Sequence, residues 1–362
     1  MKTKFQLMTA IGLSALLFLV GCAGNDQPRN IILLIGDGMG VAQVTAAKTA
    51  KGTLAMERLP VGGLLTTYCA NAYVTDSAAG GTALACGEKT NKGMVGMRPD
   101  STAMTSMLDV AESANWATGL VAACKITHAT PASFIGNVPS RKMDNEIALQ
   151  MAEGQAEVLF GGGIENFVPS TVPGSRRKDD LDLLGKLAQT HQVITTVEEF
   201  NAMGTPLRAV ALLDSGHTPT SDQRSVSLPA LTAKALDILS QDKDGFFLMV
   251  EGSQIDWECH DNNSEGAIRE AVDFDNAVAV AMDWAEAHPG TLVIVTADHE
   301  TGGYALLDGS IEKKTITAPH FATDYHSGAM VPIFAYGPGA EHFGGIHDNT
   351  HVGKILKSII TQ

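Results

Sequence analysis

The chain has 362 residues, 44% of them hydrophobic, enough to bury the core of one large domain or two ordinary ones. Its 25 Lys and Arg stand against 40 Asp and Glu, a net charge of −15 that argues against nucleic acid as a partner. An anionic small molecule would need local cations to attract it.

The first residues, "MKTKFQLMTAIGLSALLFLVGCAGN", join two lysines, an apolar run and small residues in the pattern of a bacterial export signal. The ending "LVGC" resembles a lipobox. The expectation is a lipoprotein-type signal over residues 1–21, a lipid anchor at Cys22, a tether over 22–29 and a folded domain over 30–362, held to a membrane on the periplasmic side. The weighed alternative is a plain cleaved signal. A permanent span is disfavoured, because crossing a bilayer takes about 20 apolar residues.

From residue 30 onward, short apolar runs alternate with turns and helix-like stretches. They are "NIILLIGDG", "GGLLTTY", "GLVAACKI", "EVLFGGG", "RAVALL", "GFFLMVEG", "TLVIVTADH" and "PIFAYGPG". This alternation predicts an α/β fold, a single domain with a large, mostly parallel central sheet sandwiched by helices. The clearest amphipathic helices are predicted over 103–114, 144–154, 229–240 and 265–288. Cys124, in an apolar run, reads as a buried thiol; for Cys69 and Cys86 a disulfide is left open.

Several acids and histidines fall at the carboxyl ends of predicted strands, where open α/β sheets build their sites. Asp37 stands in "LLIGDGMG", whose glycine spacing fits neither a dinucleotide loop nor a P-loop. Glu251 ends "LMVEG". Asp256 and His260 follow at a four-residue spacing, which puts a carboxylate and an imidazole on one helix face and suits a shared divalent ion. Asp298 and His299 are adjacent, so they can share a ligand only if the chain leaves the strand there, as "ETGG" permits. In "YVTDSAAGGTALACGEKTNKG", Ser77 opens a predicted helix whose N-terminus favours negative charge. A serine hydroxyl is a weak nucleophile near neutral pH. No G-x-S-x-G elbow surrounds Ser77, so activation by metal is the economical reading.

The segments "VTDSAAGGTALACGEKT", "IGDGMG", "THATPASFIGNVPSR", "MVEGSQIDWECH", "TADHETGG" and "YHSGAMVPIFAYGPGA" together resemble the site segments of alkaline phosphatases over about residues 30 to 360. The resemblance implies phosphate monoester hydrolysis with Ser77 as the nucleophile that becomes phosphoserine. It implies one zinc on Asp256, His260 and His326, and a second on Asp37, Asp298 and His299. A magnesium would sit on Glu251 and Thr130 with Asp37 bridging, and Arg141 would clamp two phosphate oxygens. His128 stands where the best-known bacterial members carry aspartate, and Trp257 where they carry lysine. His128 is therefore expected to contact the third metal or its water, and Trp257 either to alter phosphate release or to be an aromatic lid packed on its helix. Family members are usually homodimers, but the interval from His299 to His326 is short here, so monomer and homodimer both stay open.

The rivals are a phosphodiesterase or related superfamily hydrolase, and a lipoprotein that binds metal or phosphate without turnover. A sulfatase would want a C/S-x-P-x-R setting that "DSAAG" does not supply. His191, His217, His288, His342 and His347 read as surface histidines, and His320 and His351 as candidates for an outer shell around the last metal ligand.

Overall fold

The computed structural model describes residues 27–362; the expected signal and Cys22 lie outside them. Ten strands form one sheet: β1 (Asn30–Gly36), β2 (Val61–Thr66), β3 (Ala117–Lys125), β4 (Val158–Gly162), β5 (Gln192–Ile194), β6 (Ala209–Leu212), β7 (Phe246–Gly252), β8 (Thr291–Thr296), β9 (Val331–Tyr336) and β10 (Gly345–Asp348). Their spatial order is β10-β2-β9-β8-β1-β7-β3-β4-β6-β5. All neighbouring pairs are parallel except those of β9, which runs antiparallel to both β2 and β8. The eight runs read from sequence are all strands of this sheet. The short edge strands β5 and β10 were not anticipated, because three or four half-exposed residues carry little periodic signal.

Central strands buried on both faces read as unbroken apolar runs, and β1, β7 and β8 do so along nearly their whole length. Covering helices are α1 (Val41–Lys51), α2 (Ser77–Cys86), α3 (Met107–Ser113), α4 (Asp144–Glu153), α5 (Leu228–Leu239), α6 (Gln254–His260), α7 (Ser264–Ala287) and α8 (Thr350–Ile360). The predicted helix over 103–114 starts late, at Met107. Ser106 and Asp109 form a capping box there, and Ala103 is held in a bridge to Met97. The other three predicted helices start and end within about two residues of expectation. Among the described residues no helix is long and apolar enough to cross a membrane.

Register brings the site together. Ile35 near the end of β1 lies beside Glu251 of β7 and beside Thr296 of β8, and Ala122 of β3 lies on the far side of Glu251. The segments after β1, β3, β7 and β8 therefore emerge at one edge of the sheet. After β8 the chain turns back on itself: Glu300–Thr301 pairs antiparallel with His326–Ser327, with His326 opposite Thr301. This pairing carries His326 to the same edge.

The packing answers one open question and corrects one expectation. Cys69, Cys86, Cys124 and Cys259 are free and buried, so Cys69 and Cys86 form no disulfide; burial pushes the Cys86 thiol up to about 12. His191 is not a surface residue. It is buried against the Ala156 carbonyl at 2.9 Å, with Arg208 Nε donating to it at 3.2 Å.

Candidate active site

Helix α2 explains the run of small residues after Ser77. Asp76 caps it, its Oδ1 accepting from Ala79 N at 3.1 Å, and every residue from Ser77 to Cys86 is buried. A Cβ on Gly80 would lie 2.9 Å from the Asp298 carbonyl oxygen, and one on Gly81 would lie 3.0 Å from Ser133 Oγ. The helix must be narrow to come this close to the end of β8. Gly38 serves the same end beside Asp37: its φ is +74°, and a Cβ there would meet Asp256 Cα at 2.7 Å.

Ser77 Oγ lies 3.2 Å from His299 Nε2. That nitrogen is also 3.3 Å from Asp37 Oδ1 and 3.2 Å from Asp298 Oδ2. Asp37, Asp298 and His299 are fully buried and converge as one donor group. A second group is Asp256, His260 and His326. His260 Nε2 stands 3.4 Å from Asp256 Oδ2 and 3.1 Å from His326 Nε2, and His326 Nε2 stands 3.5 Å from Asp256 Oδ1. The outer ring nitrogens are oriented by backbone carbonyls, His260 Nδ1 by Asp324 and His326 Nδ1 by Thr75. The groups adjoin, because the His299 and His326 rings stack with centroids 3.6 Å apart.

A third group contains Glu251, His128 and Cys124. Thr130 Oγ1 stands 3.5 Å from Asp37 Oδ2, next to this group. Arg141 reaches the site from its own loop: Nη2 is 3.0 Å from His128 Nε2, and Nη1 is 3.4 Å from Asp76 Oδ2. All eleven residues singled out from sequence thus gather around the carboxyl edge of the sheet.

The charges demand cations. Asp37 Oδ1, Asp298 Oδ2, Glu251 Oε1 and His128 Nδ1 are buried without a hydrogen-bond partner among the described residues. Burial raises the Asp37 carboxyl far above the usual range, reinforced by the charges of Asp298, Asp256 and Glu251. Burial likewise lifts Asp298 and Glu251 to about 7. Burial holds His299 down to about 4 and His326 to about 3, so both are neutral and able to ligate. Burial opposes ionisation of Asp256 too, but hydrogen bonding to the protonated His260 outweighs it and lowers its pKa. His260 is in turn raised to about 9 by its bond to Asp256. Orphaned carboxylate oxygens beside neutral imidazoles are a donor set suited to divalent ions.

Metal removal should therefore show in the pH dependence of stability. The folded pKa values of Asp298 and Glu251 exceed their unfolded values, so in the metal-free chain the stability these two carboxyls contribute is fully present below about pH 4 and is lost as pH rises through 7. Bound cations cancel that loss. The melting temperature of the metal-loaded chain should exceed that of the chelated chain by at least about 5 °C more at pH 8.5 than at pH 5. Equal differences at both pH values would refute the charge assignment.

Several neighbours carry no sequence signal of their own. Thr301 donates its hydroxyl to Asp256 Oδ1 and stands 3.2 Å from His299 Nδ1, linking the two donor groups. Asp76 also accepts from Gly93 N, at 3.2 Å on Oδ1 and 3.1 Å on Oδ2, tying the Ser77 helix to the following loop. His217 was expected to be an ordinary surface histidine. It is exposed, but its ring meets Trp257 edge-on at 4.6 Å and His128 at 5.4 Å. Trp257 is half-buried and edge-on to His128 at 5.7 Å, so it packs on the two histidines. His320 and His351 stand apart: His320 pairs with Ala305 in a small hairpin, and His351 stacks on His347.

A family model described as alkaline phosphatase matches residues 28–317 and 308–362. The chain is 32% identical to alkaline phosphatase 3 of Bacillus subtilis, over 91% of this chain and 88% of that protein. It is 33% identical to streptomycin-6-phosphate phosphatase of Streptomyces griseus, over 91% of this chain and 89% of that one. Among solved structures, alkaline phosphatase from the Antarctic bacterium TAB5 superposes with a TM-score of 0.85 at 38% identity, covering 92% of this chain and 99% of that chain.

Proposed function

Since this chain belongs to the alkaline phosphatase family and is a metal-binding phosphomonoester hydrolase, we propose that it works through a covalent phosphoserine on Ser77. Two zinc ions would be held by Asp37, Asp298 and His299 and by Asp256, His260 and His326, and a third divalent ion by Glu251, Thr130 and Asp37 with His128 beside it. Bound there, the ions would supply positive charge for the entering and departing oxygens and lower the pKa of the attacking hydroxyl. The observation that carries this reading is the placement of Ser77 Oγ at the start of a buried helix, 3.2 Å from His299 Nε2, beside two adjoining donor groups.

The chain's own residues do the rest. The Ser77 oxygen forms a bond to phosphorus as the ester P–O bond breaks, and the alcohol leaves with a proton. Water then breaks the Ser77–phosphorus bond and releases inorganic phosphate. The free N–H groups at the start of α2 face the equatorial oxygens. The planar fork of Arg141 binds two of those oxygens, and Asp76 and His128 hold it in position. Variants of the TAB5 enzyme with a histidine replaced by Glu or Asp are described with Mg bound in the M3 site, which supports reading the third donor group as a metal position. We read residues 1–21 as an export signal and Cys22 as a lipid anchor that holds the domain 30–362 to a membrane.

Arg141 favours monoesters over diesters, since a diester offers one fewer free oxygen to the fork. A chromogenic monoester should be cleaved at least about 100-fold faster than the matching diester, and a chelator should abolish both rates. Faster cleavage of the diester, or full activity in chelator, would overturn the reading.

A further inference from the structure

Cys124 is the buried thiol read from the sequence, and its sulfur faces a carboxylate. The β3–β4 pairing slips between Val121 and Lys125, an irregularity that re-aims side chains at the end of a strand. A Cβ on Gly161 would lie 2.8 Å from the Cys124 carbonyl oxygen, so only glycine allows β4 to follow this path. As a result Cys124 Sγ is fully buried and stands 3.4 Å from Glu251 Oε2. Its sulfur, a ring nitrogen of His128 and a Glu251 oxygen all lie within 4.8 Å of one another. The other Glu251 oxygen, Oε1, is buried in the same place without a partner. Sulfur, nitrogen and an unsatisfied carboxylate thus surround one point.

We propose that Cys124 is a thiolate ligand of the third metal position, which makes that position select a thiophilic divalent ion such as zinc over magnesium. The inference rests on the reading that a third ion binds beside Glu251, but it changes which ion this chain prefers. Magnesium takes hard oxygen donors and is not held by sulfur, whereas zinc and cobalt accept thiolate, imidazole and carboxylate together. On binding, the thiol proton passes to solvent and the sulfur lone pair forms the bond to the ion; no oxidant is required.

The test uses the full chain, stripped and reloaded with cobalt(II). The parent should gain a near-ultraviolet thiolate-to-cobalt absorption. Cys124→Ser should lose that absorption while keeping the visible cobalt bands of the other two positions, which also reports that the variant is folded. Offered zinc with magnesium in excess, the parent should retain one more zinc per chain than Cys124→Ser. Zinc-edge X-ray absorption of the unaltered chain should find a sulfur neighbour at about 2.3 Å, independent of any variant. Persistence of the band in Cys124→Ser, its absence from a fully cobalt-loaded parent, or magnesium kept at the third position by the parent would each overturn the proposal. These readouts do not depend on ester hydrolysis, so failure of the phosphoserine reading would appear separately, in the turnover assays.

Discussion

Ser77→Ala should lower turnover of a chromogenic phosphate monoester by about 10⁴-fold or more, the scale of losing the nucleophile in an enzyme that acts through a covalent intermediate. The change deletes one oxygen from a helix whose other neighbours already have almost no side chain. Asp76 still caps α2, and Asp37, Asp298 and His299 keep their mutual geometry, with Asp298 Oδ1 accepting from Gly38 N and His299 N at 3.3 and 3.0 Å. Metal content and melting temperature should therefore match the parent, which separates loss of chemistry from loss of fold. Parent-like turnover in this variant would remove Ser77 from the mechanism.

Arg141→Ala should lower kcat/KM by about 10²- to 10³-fold, the scale of losing an oriented donor to a developing oxyanion. Arg141→Lys should recover little of it. The guanidinium is braced at two points, Asp76 Oδ2 and His128 Nε2, which suits a planar fork. An ammonium has no second arm and cannot span two phosphate oxygens while holding either brace. Inhibition by inorganic phosphate should weaken in parallel in both variants, since product and transition state share those oxygens. A lysine variant with parent-like kcat/KM and phosphate affinity would show that charge alone suffices.

Different parts of the site were legible to different degrees, and the physical reasons are specific. Asp256 and His260 could be paired from spacing, because a helix puts residues four apart on one face, and α6 does so. Asp298 and His299 required the chain to leave the strand after Thr296, and the antiparallel return of His326–Ser327 to Glu300–Thr301 is how it happens. His326 itself has no local signal. Its place depends on that return, and only likeness to a known family pointed to it. Likewise nothing in "GLVAACKI" announces that Cys124 turns toward Glu251, since the slip in the β3–β4 pairing arises from packing between distant strands. Trp257 and His217 meet for the same reason: their contact joins α6 to the loop after β6.

The most direct measurement is the position of the phosphate during turnover. The chain is mixed with a radiolabelled phosphate monoester, quenched in acid and mapped by peptide mass spectrometry. Label is expected on the peptide that contains Ser77, attached at that residue, and none in Ser77→Ala. Label on another residue, or full turnover with no trapped phosphate under any quench, would contradict it.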